Sequence, residues 1–221
     1  MPRPAPVIDS VIFDLDGVLL DSEHVWDQAR RELARERGRP WPETATRAMM
    51  GMSSLEWSRY MHDVVGVPDP PEEISREVVG RLEEIYRREL PLVEGAVEAV
   101  QRLAARWPLG LASSSNRELI DLVLELSSLA RYFQATVSSE EVARGKPEPD
   151  VYLEAARRLD VAPERCAAVE DSDAGIRSAK AAGMRVLAIP NPQFPPGEDA
   201  LALADEVLGS LAELTSERVA G

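Results

Sequence analysis

A single cysteine, Cys166, stands in a chain of 221 residues. No intrachain disulfide can form, which fits a reducing compartment and a cytoplasmic protein. No run of 18 apolar residues occurs, so no transmembrane helix is expected. The opening Met1-Pro-Arg-Pro-Ala-Pro lacks the apolar stretch of a secretory leader, because Asp14 and Asp16 interrupt the run that begins at Val7. Positive charge is scarce. Lys and Arg number 25 against 39 for Asp and Glu, a formal net charge of −14. Binding to duplex DNA runs on Lys and Arg, and so does binding to an anionic membrane, so neither is an expected partner. Lysine is scarcest of all. Lys146 and Lys180 are the only two, and every other basic residue is arginine. A lysine kept in such a background marks a place where the larger, forked guanidinium will not do.

What remains is an ordinary globular composition, 44% apolar and 29% charged. The length suits one good core, or a core with a small insert. Val7 to Phe13 reads as a buried parallel strand ending at Asp14-Leu-Asp-Gly17. From Ser22 to about Glu89 the periodicity turns helical. Trp26, Ala29, Leu33 and Ala34 mark one stripe, and Leu55, Tyr60 and Met61 mark another. Ile74, Val78, Leu82, Ile85 and Tyr86 mark a third, with breaks at Gly38 to Pro42 and Gly66 to Pro71. After Pro91, strands and helices alternate. Helices are expected at 96–105, 118–126, 150–159 and 174–182, and strands at 109–112, 135–137, 166–169 and 186–189. Such alternation implies right-handed crossovers and a parallel sheet. The expected fold is α/β. A Rossmann-like parallel-sheet core spans 1–20 and 92–221, and an inserted all-helical cap spans 21–91.

Four segments follow strands of that sheet, where open α/β folds bind their ligands. Asp14 and Asp16, two apart on an extended chain, face the same side. They suit a cation site, or a nucleophile with an acid/base partner, or only a solvated turn. Leu111-Ala-Ser-Ser-Ser-Asn116 opens a helix, and Ser115 with Glu118 has capping-box spacing. The loop is a plain helix cap or an anion cradle of hydroxyls and free N–H groups. Gly145-Lys-Pro-Glu-Pro-Asp150 holds Lys146 in a loop stiffened by two prolines. Glu170 and Asp171 offer oxygens suited to Mg²⁺. Asp173 reads as a helix N-cap rather than a ligand.

Together these segments resemble the haloacid dehalogenase superfamily. Phe13-Asp-Leu-Asp-Gly-Val-Leu-Leu-Asp-Ser-Glu23 is similar to its first motif. Ser113, Lys146 and the Glu170-Asp171 pair fall where its second, third and fourth motifs belong. The resemblance implies a phosphatase with Asp14 as nucleophile and Asp16 as general acid/base. It implies Mg²⁺ held by Asp14, the Asp16 backbone carbonyl and Asp171, with Glu170 as a further ligand. Ser113, the backbone N–H of Ser114, and Lys146 would bind the phosphoryl oxygens. The acid at position 16 favours phosphoryl transfer over dehalogenation. A Schiff-base mechanism needs a cap lysine, and no lysine precedes Lys146.

The subfamily resembled is that of β-phosphoglucomutase and its phosphatase relatives. The mutases carry a histidine where this chain has Trp26, and basic residues in a cap loop that here reads Met49-Met-Gly-Met-Ser-Ser54. Without charge-assisted bonds for a second phosphate, a phosphatase acting on a small phosphomonoester such as a sugar phosphate is expected. A mutase remains the alternative, with Arg47 or Arg59 as the missing cation. Ser22, Glu23, His24, Trp26, Met50 and Gly51 are the candidate substrate contacts. Trp26, Trp41 and Trp57 serve either as packing or as an aromatic wall. The partner expected is a small phosphorylated metabolite bound by a monomer.

Overall fold

The protein is described by a computed structural model covering residues 7–221. The leader reading of the first six residues and the start of the expected core lie outside the described residues.

Six parallel strands form one sheet in the order β3-β2-β1-β4-β5-β6. They are β1 (Ser10–Phe13), β2 (Leu109–Ser113), β3 (Phe133–Ser138), β4 (Cys166–Glu170), β5 (Arg185–Ala188) and β6 (Glu206–Val207). The first strand in sequence lies in the middle, paired to β2 on one side and β4 on the other. Phe13 sits opposite both Leu111 and Val169. That register brings the residues just past each strand to one edge.

Side-chain alternation divides the strands between two cores. Val11, Phe13, Leu109 and Leu111 face α5 (Ala96–Ala104) and α6 (Arg117–Leu126). Ile12, Ala112 and Ala168 face α7 (Asp150–Arg158) and α8 (Asp173–Ala181). Burial on both faces explains why these strands read as unbroken apolar runs. Two short helices, α9 (Glu198–Leu201) and α10 (Ser216–Ala220), finish the chain. The first strand is shorter than its apolar run, since Val7 is exposed and pairing begins at Ser10. The two-residue β6 is too short to leave a periodic signal.

Between β1 and α5 the chain is helical. It runs through α1 (Glu23–Glu36), α2 (Ala45–Met49), α3 (Ser54–Tyr60) and α4 (Pro71–Arg88). A single π-helical turn, Met61–Val65, extends α3 and stops at Gly66, whose left-handed backbone ends the helix. Pro71 opens α4, where its missing N–H costs nothing. The two connections to this insert run side by side. Asp21 N–H donates to Pro91 O at 2.8 Å, and Val93 N–H donates to Leu19 O at 3.0 Å. The first core continues into the insert through Leu15, Leu33, Trp57 and Leu82, and α4 packs on α6. None of the described helices is long and apolar enough to cross a membrane.

Candidate active site

Asp14 is the first residue beyond β1. Its N–H still donates to Val169 O at 3.0 Å, so the backbone holds sheet direction for one more step. Lys146 Nζ donates to Asp14 Oδ1 and to Glu170 Oε1, each at 2.6 Å. The ammonium lies 5.0 Å from the centre of the Tyr152 ring. All three charged groups are buried. A compact ammonium fits between two carboxylates and a ring, where a planar fork would not. The Arg-rich background pointed to this lysine.

Glu170 is saturated with donors. Oε1 also accepts Tyr152 OH at 2.7 Å, and Oε2 accepts Asp171 N–H, Ser172 N–H and Ser172 Oγ–H. Asp171 is different: its Oδ1 is buried with no partner. Carboxylate oxygens of Asp14, Glu170 and Asp171 lie within 4.8 Å of one another. Burial pushes the Asp14 carboxyl up to about 8. Lys146 pulls against that shift, while Glu170 and Asp16 add to it. Asp171 is driven upward by burial, then by Glu170 and Asp14. For Lys146 burial works the other way, but Asp14 and Glu170 outweigh it and keep the amine charged. Crowded acids with one orphaned oxygen suit a hard divalent cation. The room is deliberate. Gly17 has a φ of +84°, and a Cβ there would overlap the Asp171 carboxylate. A Cβ at Gly175 would overlap that of Glu170.

The Asp16 carboxylate turns towards the insert and stands outside that cluster. Oδ1 accepts Ser22 Oγ–H at 2.6 Å and Trp26 Nε1–H at 3.2 Å, and Oδ2 accepts Ser115 Oγ–H at 2.6 Å. The strand has ended at Phe13, so strand alternation does not set its direction; these three donors do. The capping-box reading of Ser115 is therefore corrected. Its hydroxyl is committed to Asp16, and Asn116 takes the N-cap position of α6. Ser113 is fully buried, and its Oγ accepts the Ser115 N–H at 3.0 Å. Ser114 lines the cavity with its hydroxyl unpartnered. Asp173 is not the N-cap of α8. Ser172 is, through Gly175 N–H, while Asp173 pairs with Arg177.

Asp14, Asp16, Lys146 and Asp171 open onto one cavity of about 60 Å³, which shares Met50, Asp171 and Ser172 with an adjoining cavity of about 810 Å³. Glu23, Trp26, Met50 and Gly51, four of the candidate substrate contacts, border the smaller one. Ser22 is buried behind Asp16, and His24 is corrected: it is exposed on the outer side of α1 and does not reach the cavity. Trp57 and Met52 complete the wall, but Trp41 lies elsewhere, donating to Thr46. Arg47 and Arg59 are exposed and do not border the cavity. Arg30 does, and sequence reasoning missed it. Its signal was helical spacing, since it lies four residues after Trp26 and seven after Glu23 on one face of α1.

Residues 8–183 match the haloacid dehalogenase-like hydrolase family. The chain is 32% identical over 228 residues to hexitol phosphatase B of Escherichia coli, covering 100% of both. It is 34% identical over 181 residues to a phosphorylated carbohydrates phosphatase of Thermotoga maritima, covering 80% of this chain and 82% of that one. The crystal structure of CbbY from Rhodobacter sphaeroides in complex with phosphate superposes with a TM-score of 0.83 at 27% identity, covering 96% and 99% of the two chains. The chain belongs to the haloacid dehalogenase-like hydrolase family. Within it, the chain is an enzyme of the phosphatase class.

Proposed function

We propose that the protein hydrolyses a small phosphomonoester, of a sugar or polyol, with Mg²⁺ and through a phosphorylated Asp14. The observation that carries this reading is Lys146 held between Asp14 and Glu170, beside the orphaned oxygen of Asp171. The two relatives' names, one for hexitols and one for phosphorylated carbohydrates, support the substrate class. We take the working protein to be a cytoplasmic monomer.

Asp14 and Asp171 would hold Mg²⁺ with the Asp16 backbone carbonyl, and Glu170 would support them. The cation would supply the positive charge that lets a carboxylate approach a phosphate dianion. Lys146 neutralises one phosphoryl oxygen and fixes Asp14. The backbone N–H and the unpartnered hydroxyl of Ser114 would meet the others, with Ser113 holding the loop in shape through the Ser115 N–H. Asp14 attacks phosphorus, and the P–O bond to the leaving group breaks. Asp16, as general acid, delivers a proton to the departing oxygen. The resulting carboxylate then takes a proton from water, which attacks phosphorus and releases phosphate from Asp14. Closure of the insert over the site would exclude bulk water during the first transfer.

A mutase is the second reading, because Arg30 supplies a cation on the far wall of the cavity. One assay separates the two. Phosphate release is measured from a panel of sugar and polyol phosphates, with Mg²⁺ and with EDTA, alongside conversion of β-glucose 1-phosphate to glucose 6-phosphate. Mg²⁺-dependent release is expected, with turnover abolished in Asp14→Asn and severely impaired in Lys146→Ala. Retained activity in Asp14→Asn would overturn the mechanism, and isomerisation with little release would make the protein a mutase.

A further inference from the structure

Arg30 is an unusual residue for a helix of a small insert. Its side chain is buried, at 6% exposure. It has no ion pair or side-chain hydrogen bond among the described residues, and its Nε is buried without a partner. The guanidinium carbon lies 4.7 Å from the Trp26 ring centre and 4.8 Å from that of Trp57. The two indoles stand edge-on to each other, with ring centres 5.7 Å apart. They hold the cation in place by their π faces, but they accept none of its N–H groups in a normal hydrogen bond. A desolvated guanidinium with unmet donors is costly. Purely structural arginines avoid that cost by pairing, as Arg37 does with Asp69 and Glu77 elsewhere in this insert.

The partner of Arg30 is therefore to be sought in the cavity it borders. Lys146, at the sheet edge, is the other cation among the described lining residues. Arg30 is on the insert side, away from Asp14. On its own side it shares the wall with Glu23, seven residues earlier on α1. A second phosphate or a carboxylate placed there would meet the acid as well as the cation. Hydroxyl groups satisfy both, accepting from the guanidinium and donating to the carboxylate.

We propose that Arg30 is the specificity-determining residue of this enzyme, donating paired hydrogen bonds to neighbouring hydroxyl oxygens on the uncharged end of the substrate, with Glu23 accepting from them. The proposal deepens the phosphatase reading and rests on it for the orientation of the substrate. Trp26 and Trp57 act as positioning residues that keep the fork flat. A ligand built this way is a polyol carrying one phosphate. Two terminal phosphates would be disfavoured.

The test separates binding from turnover. Calorimetry with Mg²⁺ measures binding of sorbitol 6-phosphate and of inorganic phosphate to the Asp14→Asn protein, alone and combined with Arg30→Met or Arg30→Lys. Arg30→Met is expected to weaken sorbitol 6-phosphate about 50-fold, while phosphate weakens by less than about threefold. Arg30→Lys keeps the charge and guards against a folding defect; it should recover only part of the loss, since a point donor cannot serve two oxygens. In the enzyme with Asp14 intact, the ratio of kcat/KM for sorbitol 6-phosphate to that for methyl phosphate should fall by the same factor. Equal weakening of both ligands, or of neither, would overturn the proposal. So would fructose 1,6-bisphosphate binding more tightly than sorbitol 6-phosphate in an Arg30-dependent way, which would make Arg30 a second anion site. Arg30-dependent binding in a protein that releases no phosphate would sink the phosphatase reading and leave the Arg30 assignment standing.

Discussion

At the scale of single residues, the cavity sets an acid against water. Burial raises the Glu23 carboxyl from the usual 4.5 to about 7, with Arg30 opposing the shift and Asp16 adding to it. The folded protein thus holds this proton more tightly than the unfolded chain. Its folded state is favoured most below about pH 4.5 and loses stability as pH rises through about 7. The full effect is on the order of 3 kcal/mol, reduced where the carboxyl borders the cavity. Glu23→Gln should therefore raise the Tm of the metal-free protein at pH 8 by several degrees and change it little at pH 4.5. Thermal melts in EDTA at the two pH values check this, and an equal shift at both would show that Glu23 titrates normally. Glu23 itself was legible in the sequence, since it closes the first motif. Arg30 was not, because a charged residue on an amphipathic helix ordinarily faces solvent, and only the third dimension shows two indoles turning it inward. His24 failed in the opposite direction: adjacency to Glu23 in sequence placed it on the other face of the helix.

At the scale of elements, the site depends on how closely β1 and β4 let their following loops approach. Gly17 and Gly175 each leave space that a neighbouring carboxylate fills. Gly17→Ala meets two obstacles, a left-handed backbone and the Asp171 oxygens. It should weaken Mg²⁺ activation by about 10- to 100-fold while the far-ultraviolet circular dichroism stays native. A Mg²⁺ titration of activity measures it, and an unchanged activation constant would show that Asp171 can move aside freely. The strands and helices that carry these loops were readable from apolar runs and 3.6-residue stripes, because two-sided burial leaves a strong pattern. Their ends were less so. Ser115 and Asp173 both had good capping chemistry, yet each is engaged elsewhere, Ser115 by Asp16 and Asp173 by Arg177. A hydroxyl or carboxylate that can cap a helix can equally serve a tertiary partner, and local sequence does not say which.

At the scale of the whole molecule, the catalytic cavity is the inner part of a larger opening. About 60 Å³ holds a few waters, and a second cavity of about 810 Å³ adjoins it across Met50, Asp171 and Ser172. Motion of the helical insert would widen this opening, and the paired connections at Leu19–Asp21 and Pro91–Val93 give it a place to turn. The fold class and the helical segment after β1 were legible from the change in periodicity after Ser22; the way that segment seats on the core was not, because it depends on packing between α4 and α6 across long sequence separation. The scarcity of lysine has a practical consequence here. Apart from the chain's amino terminus, the molecule carries two primary amines, Lys146, buried between Asp14 and Glu170, and Lys180, partly exposed beside Asp205. An amine-reactive reagent followed by mass spectrometry thus carries its own reference. Modification of Lys146 should lag Lys180 by at least about a hundredfold and slow further with a bound substrate analogue. Comparable rates for the two would show that the Asp14–Lys146–Glu170 cluster comes apart readily. The enzyme thus carries a built-in clock for the opening of its own charged centre.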